Sequence, residues 1–550
     1  MNINRKTQDL FFYLTGLCAV AIYSIVIYQH AYNIPKWDDF PDILRFLDRW
    51  LAASSFPEKF SIFISQTNEH ILLVNHLIIL FQYYLIGHIN FAWLIYIGNI
   101  FYIGSSLALW LFFKNHSERA FCFAIIMLCG VSFYSYESTL WAMTALSNQA
   151  VILFSFLAIY VISRPIKSIA LAMLLSCLAV FSQSNGIFVL LVIGAYFYFL
   201  KDWLKLKQWS FFSVLIIGLY AYWFNPASQQ NISLPSVLHQ LPLQNYLLTL
   251  PAFLVYMGGS SVIKMTLFSI VVSLLLGIGI ITIFFIQLKR KLYPTEILLI
   301  IAFILLSVLS IASYRGLVAG PQVAFVSRYK MYSACFLITG VLLSPVFIKK
   351  IQDSLRWKAG VLSVSLFYFA WSFPANLAEA KIIDGDLFQS LQRWVEDGDF
   401  RRGRGYFVKD ADSYLFAALK NKTYTPIVLL RPEMIIKKVD LLSACPVMNE
   451  SQNMQTTTEV LITHKNPNAA GIKITRQSGD QIPLSIVLCS DSHFYTFDIP
   501  FQNKTNNEND ESVFYIQREN ILPGTYAAWI KKSDLFYRIE VPFINKIATR

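Results

Sequence analysis

Long apolar runs alternate with short polar breaks over the first two thirds of the chain. Runs at 11–28, 91–113, 119–135, 148–163, 168–184, 187–200, 209–224, 264–286, 296–313, 330–348 and 359–375 each predict a helix crossing a membrane. A crossing takes about 20 apolar residues, so several of these are short, and the pattern amounts to about eleven spans. No small-residue cleavage site follows the first run, which therefore reads as an uncleaved helix. Two more apolar stretches, 71–87 and 246–260, would invert the later loops if counted as full crossings. They are read as re-entrant or interfacial.

The segment 29–90 is a long, structured loop. Pro41 can open a helix, and Ile43, Leu44, Leu47, Trp50 and Leu51 recur at helical spacing, with Asp42, Arg45, Asp48 and Arg49 at the other positions. This predicts an amphipathic helix, lying on the membrane or packed on neighbouring spans. After residue 375 the pattern changes. Residues 376–450 mix polar and apolar segments and read as an α/β connecting region. Within 451–550, short alternating or β-branched runs at 456–463, 483–489, 494–499, 512–516 and 536–541 predict strands of a small β-sandwich-like domain.

Composition agrees with a polytopic α-helical membrane protein. Of 550 residues, 56% are hydrophobic and 14% charged. The net charge of +12 is not a nucleic-acid footprint, because it lies wholly in residues 1–375, which carry 24 Lys+Arg against 12 Asp+Glu. Most of those basic residues fall in loops on the side of the N-terminus, whereas Asp38, Asp39, Asp42, Asp48, Glu58, Glu69 and Glu137 fall on the other. The positive-inside rule then puts the N-terminus in the cytoplasm and the C-terminal region outside. Of seven cysteines, Cys445 and Cys489 lie in the polar C-terminal part, where an oxidising compartment would let them pair.

Charge beside the hydrocarbon is costly and marks substrate or ion paths. Three constellations stand out. The first is Lys36-Trp37-Asp38-Asp39-Phe40 with Asn68-Glu69-His70 later in the same loop. Adjacent carboxylates raise one another's pKa, which suits a general base near neutrality. Capping of the following helix is the plain alternative. Glu69 would orient that base, bind acceptor hydroxyls or share a metal, and His70 would hydrogen-bond phosphate. The second constellation is Ser313-Tyr314-Arg315 with Ser327-Arg328-Tyr329-Lys330, where the arginine fork suits phosphate oxygens. The third is Tyr136-Glu137 through Trp141, whose aromatic face and carboxylate suit a sugar. The Gln183-Ser184-Asn185-Gly186 stretch reads as a tight turn. No P-loop, dinucleotide glycine pattern, nucleophile elbow or zinc-protease motif is present.

Trp37-Asp38-Asp39, Asn68-Glu69-His70, Leu140-Trp141, Ser184-Asn185-Gly186 and Ser327-Arg328-Tyr329, in that order and placement, resemble bacterial GT-C glycosyltransferases. More narrowly, the pattern is similar to relatives of the serotype-converting O-antigen glucosyltransferases. The resemblance covers about 1–375, with Ile71 where such relatives often carry Arg. It implies a GT-C fold in a bacterial inner membrane and a polyprenyl-phosphate sugar donor. It also implies inverting transfer of a hexose, such as glucose, to a periplasmic lipopolysaccharide or other envelope glycan.

By position, Asp38 or Asp39 would be the base and Glu69 its companion. Arg328, Tyr329, Arg315 and His70 would meet the donor phosphate, and Trp37, Glu137 and Trp141 the sugar or acceptor. Some members bind a divalent metal and others do not; Asp38, Asp39 and Glu69 would be its ligands here. Two readings compete: a flippase or transporter of lipid-linked saccharides, and an O-antigen polymerase or ligase.

Overall fold

The protein is seen in a computed structural model that describes residues 5–67, 70–113, 117–164, 168–224, 243–259, 266–289, 295–319, 325–342, 354–397 and 411–425, and seven strands between 461 and 545. The chain divides into two units, residues 1–387 with 408–425, and residues 388–407 with 426–550.

The first unit is helical. Its elements are α1 Arg5–His30, α2 Phe46–Ala52, α3 Phe56–Phe63, the two-residue strands β1 Gln66–Thr67 and β2 His70–Ile71, α4 Leu73–Ile86, α5 Phe91–Leu111, α6 Arg119–Gly130, α7 Tyr136–Thr139 and α8 Ala142–Ile162. There follow α9 Ile169–Val180, α10 Ile187–Phe199, α11 Trp203–Trp223, α12 Leu243–Gly258, α13 Leu267–Lys289, α14 Thr295–Ala319, α15 Lys330–Leu342, α16 Leu355–Asp397, of which residues from 388 belong to the second unit, and α17 Ala411–Lys420. Seven helices among the described residues are long and apolar enough to cross a membrane, so this is a multi-pass helical membrane protein. α4 has 14 residues, about 21 Å of rise, which falls short of a hydrocarbon core of about 30 Å.

Close helix contact is bought with missing side chains. A Cβ on Gly98 of α5 would come within 2.4 Å of the Ala145 Cβ on α8. Between α6 and α8 the chain leaves helical geometry for residues 131–141, apart from short turns. Its backbone groups then need partners that neither water nor lipid supplies. Neighbouring side chains meet the need. Tyr102 OH donates to the Ser132 carbonyl (3.0 Å), and Asn99 Nδ2 donates to that of Thr139 (2.8 Å) while its Oδ1 accepts from Tyr23 OH (2.5 Å). The Phe133 N–H donates to Ser372 Oγ on α16 (3.0 Å). These polar groups inside an apolar bundle fix the segment that carries Glu137 and Trp141.

Two expectations change. The amphipathic helix after Pro41 opens instead as a π-helical turn, Phe40–Arg45, before α2 continues it. The wider turn carries Asp42 off the expected polar face, leaving it 2% exposed beside the buried Ile43 and Leu44. The last span, expected to end at residue 375, runs through Pro374 without a break and reaches Asp397. Residues after it also return to the first loop: the Tyr424 OH donates to the Asn33 carbonyl (2.8 Å), and the Ile89 N–H donates to that of Thr423 (2.7 Å).

In the second unit, β3 Leu461–Asn466, β4 Ala469–Gln477 and β7 Asn509–Gln517 form one antiparallel sheet, order β3-β4-β7. A second sheet has the order β6-β5-β8-β9, from β5 Leu484–Cys489, β6 Phe494–Ile499, β8 Gly524–Lys532 and β9 Leu535–Asn545. The proposed partner of Cys489, Cys445, lies outside the described residues.

Candidate functional site

The acidic corner forms as a tight turn. Asp39 donates its N–H to the Lys36 carbonyl (2.8 Å), and the Lys36 N–H donates back to Asp39 Oδ2 (2.9 Å). Closing that loop puts Trp37 at φ 43°, a left-handed conformation that side-chain-bearing residues rarely hold without compensation. The compensation is packing: the Trp37 ring lies 4.6 Å from that of Trp141.

The two acids differ sharply in what they do. Asp39 is fully buried. Its Oδ1 accepts the Met143 N–H (2.9 Å) in the first turn of α8, while Oδ2 holds the turn just described. It makes no cap bond to the helix that follows it. Instead it caps α8 from a distance, satisfying an N–H that the helix start leaves open. Burial pushes its carboxyl up to about 7, against the pull of the two backbone N–H donors and of Lys36. Asp38 keeps partial exposure. Of the pair, it is the one placed to exchange a proton with something outside the protein.

Beside Trp141 lies the second constellation. The Arg328 guanidinium sits 5.9 Å from the Trp141 ring centroid and 5.3 Å from that of Tyr329. It pairs with Glu137 (Nη1 to Oε1 3.7 Å), and Ser327 Oγ donates to the other Glu137 oxygen (3.1 Å) and accepts the Glu137 N–H (3.2 Å). Burial disfavours the charge on Arg328, but Tyr329, Glu137 and Asp38 outweigh it and hold the guanidinium more firmly protonated than usual. Its Nε and the Trp141 Nε1 are buried donors with no acceptor among the described residues. The Tyr329 carbonyl accepts from Tyr256 OH (2.6 Å), which fixes this turn against α12. Lys36, Trp37, Glu137, Trp141 and Asp384 line a gap of about 10 Å³ beside the group, room for no more than about one water.

Trp37, Asp38, Asp39, Glu137, Trp141, Arg328 and Tyr329 thus gather at one end of the bundle. His70 meets a different neighbour: its Nδ1 is 2.9 Å from Ser184 Oγ. The next residue, Asn185, donates from Nδ2 to the Tyr332 OH (2.6 Å) on α15, one turn beyond Arg328. The Ser184-Asn185-Gly186 turn, read from sequence as a tight turn and as part of the resembling pattern, therefore ties the first loop to α15, which follows the Arg328 turn. Glu69 lies outside the described residues, and Arg315 falls in the last turns of α14 with its side chain outside them. Among the described residues no three His, Cys, Asp or Glu side chains cluster so as to hold a metal ion.

Sequence reasoning named Lys36 and Asp42 without giving either a role in the site, and passed over His30 and Asp384. Burial first, then the charge of Asp38, push the Asp42 carboxyl well above the carboxylate range, with Thr67 pulling the other way. Its position three residues after Asp39 was the available signal. Asp384 carried none, because it sits in polar sequence far from the loop it joins.

No family model, curated protein or solved structure matches this chain. The chemistry of the site has to be argued from its own residues.

Proposed function

We propose that the protein is a GT-C-like glycosyltransferase of a bacterial inner membrane, with about eleven crossings and this corner on the periplasmic side. It moves a sugar from a polyprenyl phosphate to an envelope glycan. The observation that carries this reading is that a partly exposed Asp38 lies close enough for its charge to act on Arg328, whose guanidinium sits by the Trp141 ring.

Asp38 takes the proton of an acceptor hydroxyl as its oxygen attacks the anomeric carbon. The bond from that carbon to the phosphate oxygen breaks with its electron pair going to the phosphate. Phosphate leaves without protonation, so the required help is positive charge, and Arg328 supplies it. Attack opposite the leaving group inverts the anomeric centre. Glu137 and Ser327 hold the arginine in place, and Trp37, which keeps partial exposure while Trp141 is buried, offers its face to the sugar ring. Asp39 builds the corner rather than reacting. The C-terminal strands, between 461 and 545, are proposed to bind the acceptor glycan or a partner in the periplasm.

The test is transfer of labelled sugar from a panel of polyprenyl-phosphate sugars by purified protein, beside Asp38→Asn and Arg328→Ala variants of verified fold. Loss of transfer in Asp38→Asn with donor binding kept supports the assignment. Full activity in Asp38→Asn removes the base, and no turnover by wild type with any donor favours a transporter of lipid-linked saccharides.

A further inference from the structure

Three buried ionisable side chains lie behind the acidic turn. His30, at the last residue of α1, places Nδ1 3.0 Å from Asp384 Oδ2, and Lys36 places Nζ 3.6 Å from Asp384 Oδ1. Exposure of the three residues is 8%, 5% and 2% for His30, Asp384 and Lys36. Taking these groups out of water carries a desolvation cost that a surface pair would avoid. Their position relative to the turn gives the arrangement a role.

Lys36 is the first residue of the turn that carries Asp38. Its backbone makes both hydrogen bonds that close the turn on Asp39, and Trp37, next to it, holds the left-handed conformation. A turn under that strain opens unless its ends are held. One end is held by Asp39 on α8. The other is held through the Lys36 side chain by Asp384, on the part of α16 that runs past the expected end of the span. His30 takes the second oxygen of Asp384 and fixes the carboxylate from the α1 side.

We infer that Asp384 is a positioning residue: it clamps Lys36 and His30, and so holds the strained turn that presents Asp38 to the acceptor. The inference rests on the glycosyl-transfer reading for its kinetic consequence, while the clamp itself is testable without any reaction.

The experiment compares full-length wild type, Asp384→Asn and Asp384→Glu in nanodiscs. Amide exchange of residues 36–42 is followed by mass spectrometry with α5 as internal control, and sugar transfer is measured in parallel. In Asp384→Asn, exchange of 36–42 is expected to rise at least about tenfold with α5 unchanged, and kcat to fall about a hundredfold with KM for the donor within about twofold, as for a misplaced catalytic group. Asp384→Glu keeps the charge and is expected to restore both, which also separates the clamp from a folding defect. Should Asp384→Asn lose protection in α5 as well, Lys36→Gln takes its place, with the same expectations. Unchanged exchange of 36–42, or a loosened turn with unimpaired kcat, overturns the inference. If wild type transfers no sugar, the reaction assignment fails, and the exchange result alone decides the clamp.

Discussion

Asp39 caps a helix that begins far along the chain from it: its Oδ1 accepts the Met143 N–H at 2.9 Å while Oδ2 accepts that of Lys36 at 2.9 Å. One buried carboxylate therefore joins the first loop to α8, and its neighbour Asp38 is left with the exposed position. The pair divides structure from chemistry.

That division predicts opposite outcomes for two adjacent substitutions. Asp39→Ala leaves two N–H groups without their acceptor, each costing about 1–3 kcal/mol where it stays dry. Its melting temperature is expected to fall clearly below wild type. Asp38→Asn should melt near wild type and lose transfer. Equal melting of the two variants would refute the assignment of roles.

The same carboxyl sets a pH dependence. Folded, Asp39 titrates at about 7; unfolded, it titrates near its ordinary value of about 3.9. Between these values the native state keeps a proton that the unfolded state has lost. Its contribution to stability is complete below the unfolded value and is lost as pH rises through the folded one. Melting curves from pH 4 to pH 7 should show wild type losing more stability than Asp39→Asn, about in step with that interval. Parallel curves would show that burial does not hold the proton on.

Arg328→Lys tests the arginine fork. Lysine keeps the charge and gives up the planar donors that meet two phosphate oxygens at once. With a charged hydrogen bond worth about 1.5–3 kcal/mol, KM for a polyprenyl-phosphate sugar should rise about tenfold to a hundredfold. An unchanged KM would place the phosphate elsewhere.

Gly186 gives a test of the link between the first loop and α15. A Cβ there would lie 2.2 Å from the Ala179 carbonyl oxygen, a backbone atom with little room to yield. Gly186→Ala is expected to destabilise by about 1–3 kcal/mol. The comparison is Gly218→Ala on α11, where a Cβ meets nothing within 4 Å. There alanine should be neutral or stabilising by up to about 1 kcal/mol, through helix propensity. Similar melting of both variants would mean that the turn gives way freely.

The long helices were legible because their apolar runs are long: α1, α5 and α8 lie where hydropathy puts them. The acidic motif was legible as an anomaly of charge beside a membrane span. Other features were hidden for physical reasons. A π-helical turn has no period that a 3.6-residue pattern detects, so Asp42 was placed on the wrong face. Pro374 and the polar residues after it resemble the end of a helix, yet α16 continues through them, with Ser372, just before the proline, accepting the Phe133 N–H. Asp384 enters the site by that continuation. The separate tasks of Asp38 and Asp39 depend on Met143, a contact that no local pattern in the sequence announces.

The aromatic pair has one more consequence. Trp37 and Trp141 stand against each other beside Arg328, whose side chain is 31% exposed. Mobile ions screen exposed charges over a Debye length of about 8 Å at physiological ionic strength, but they act weakly on charges sheltered from water. An anion paired with this partly covered arginine would lose less of its hold to added salt than one on a fully exposed arginine.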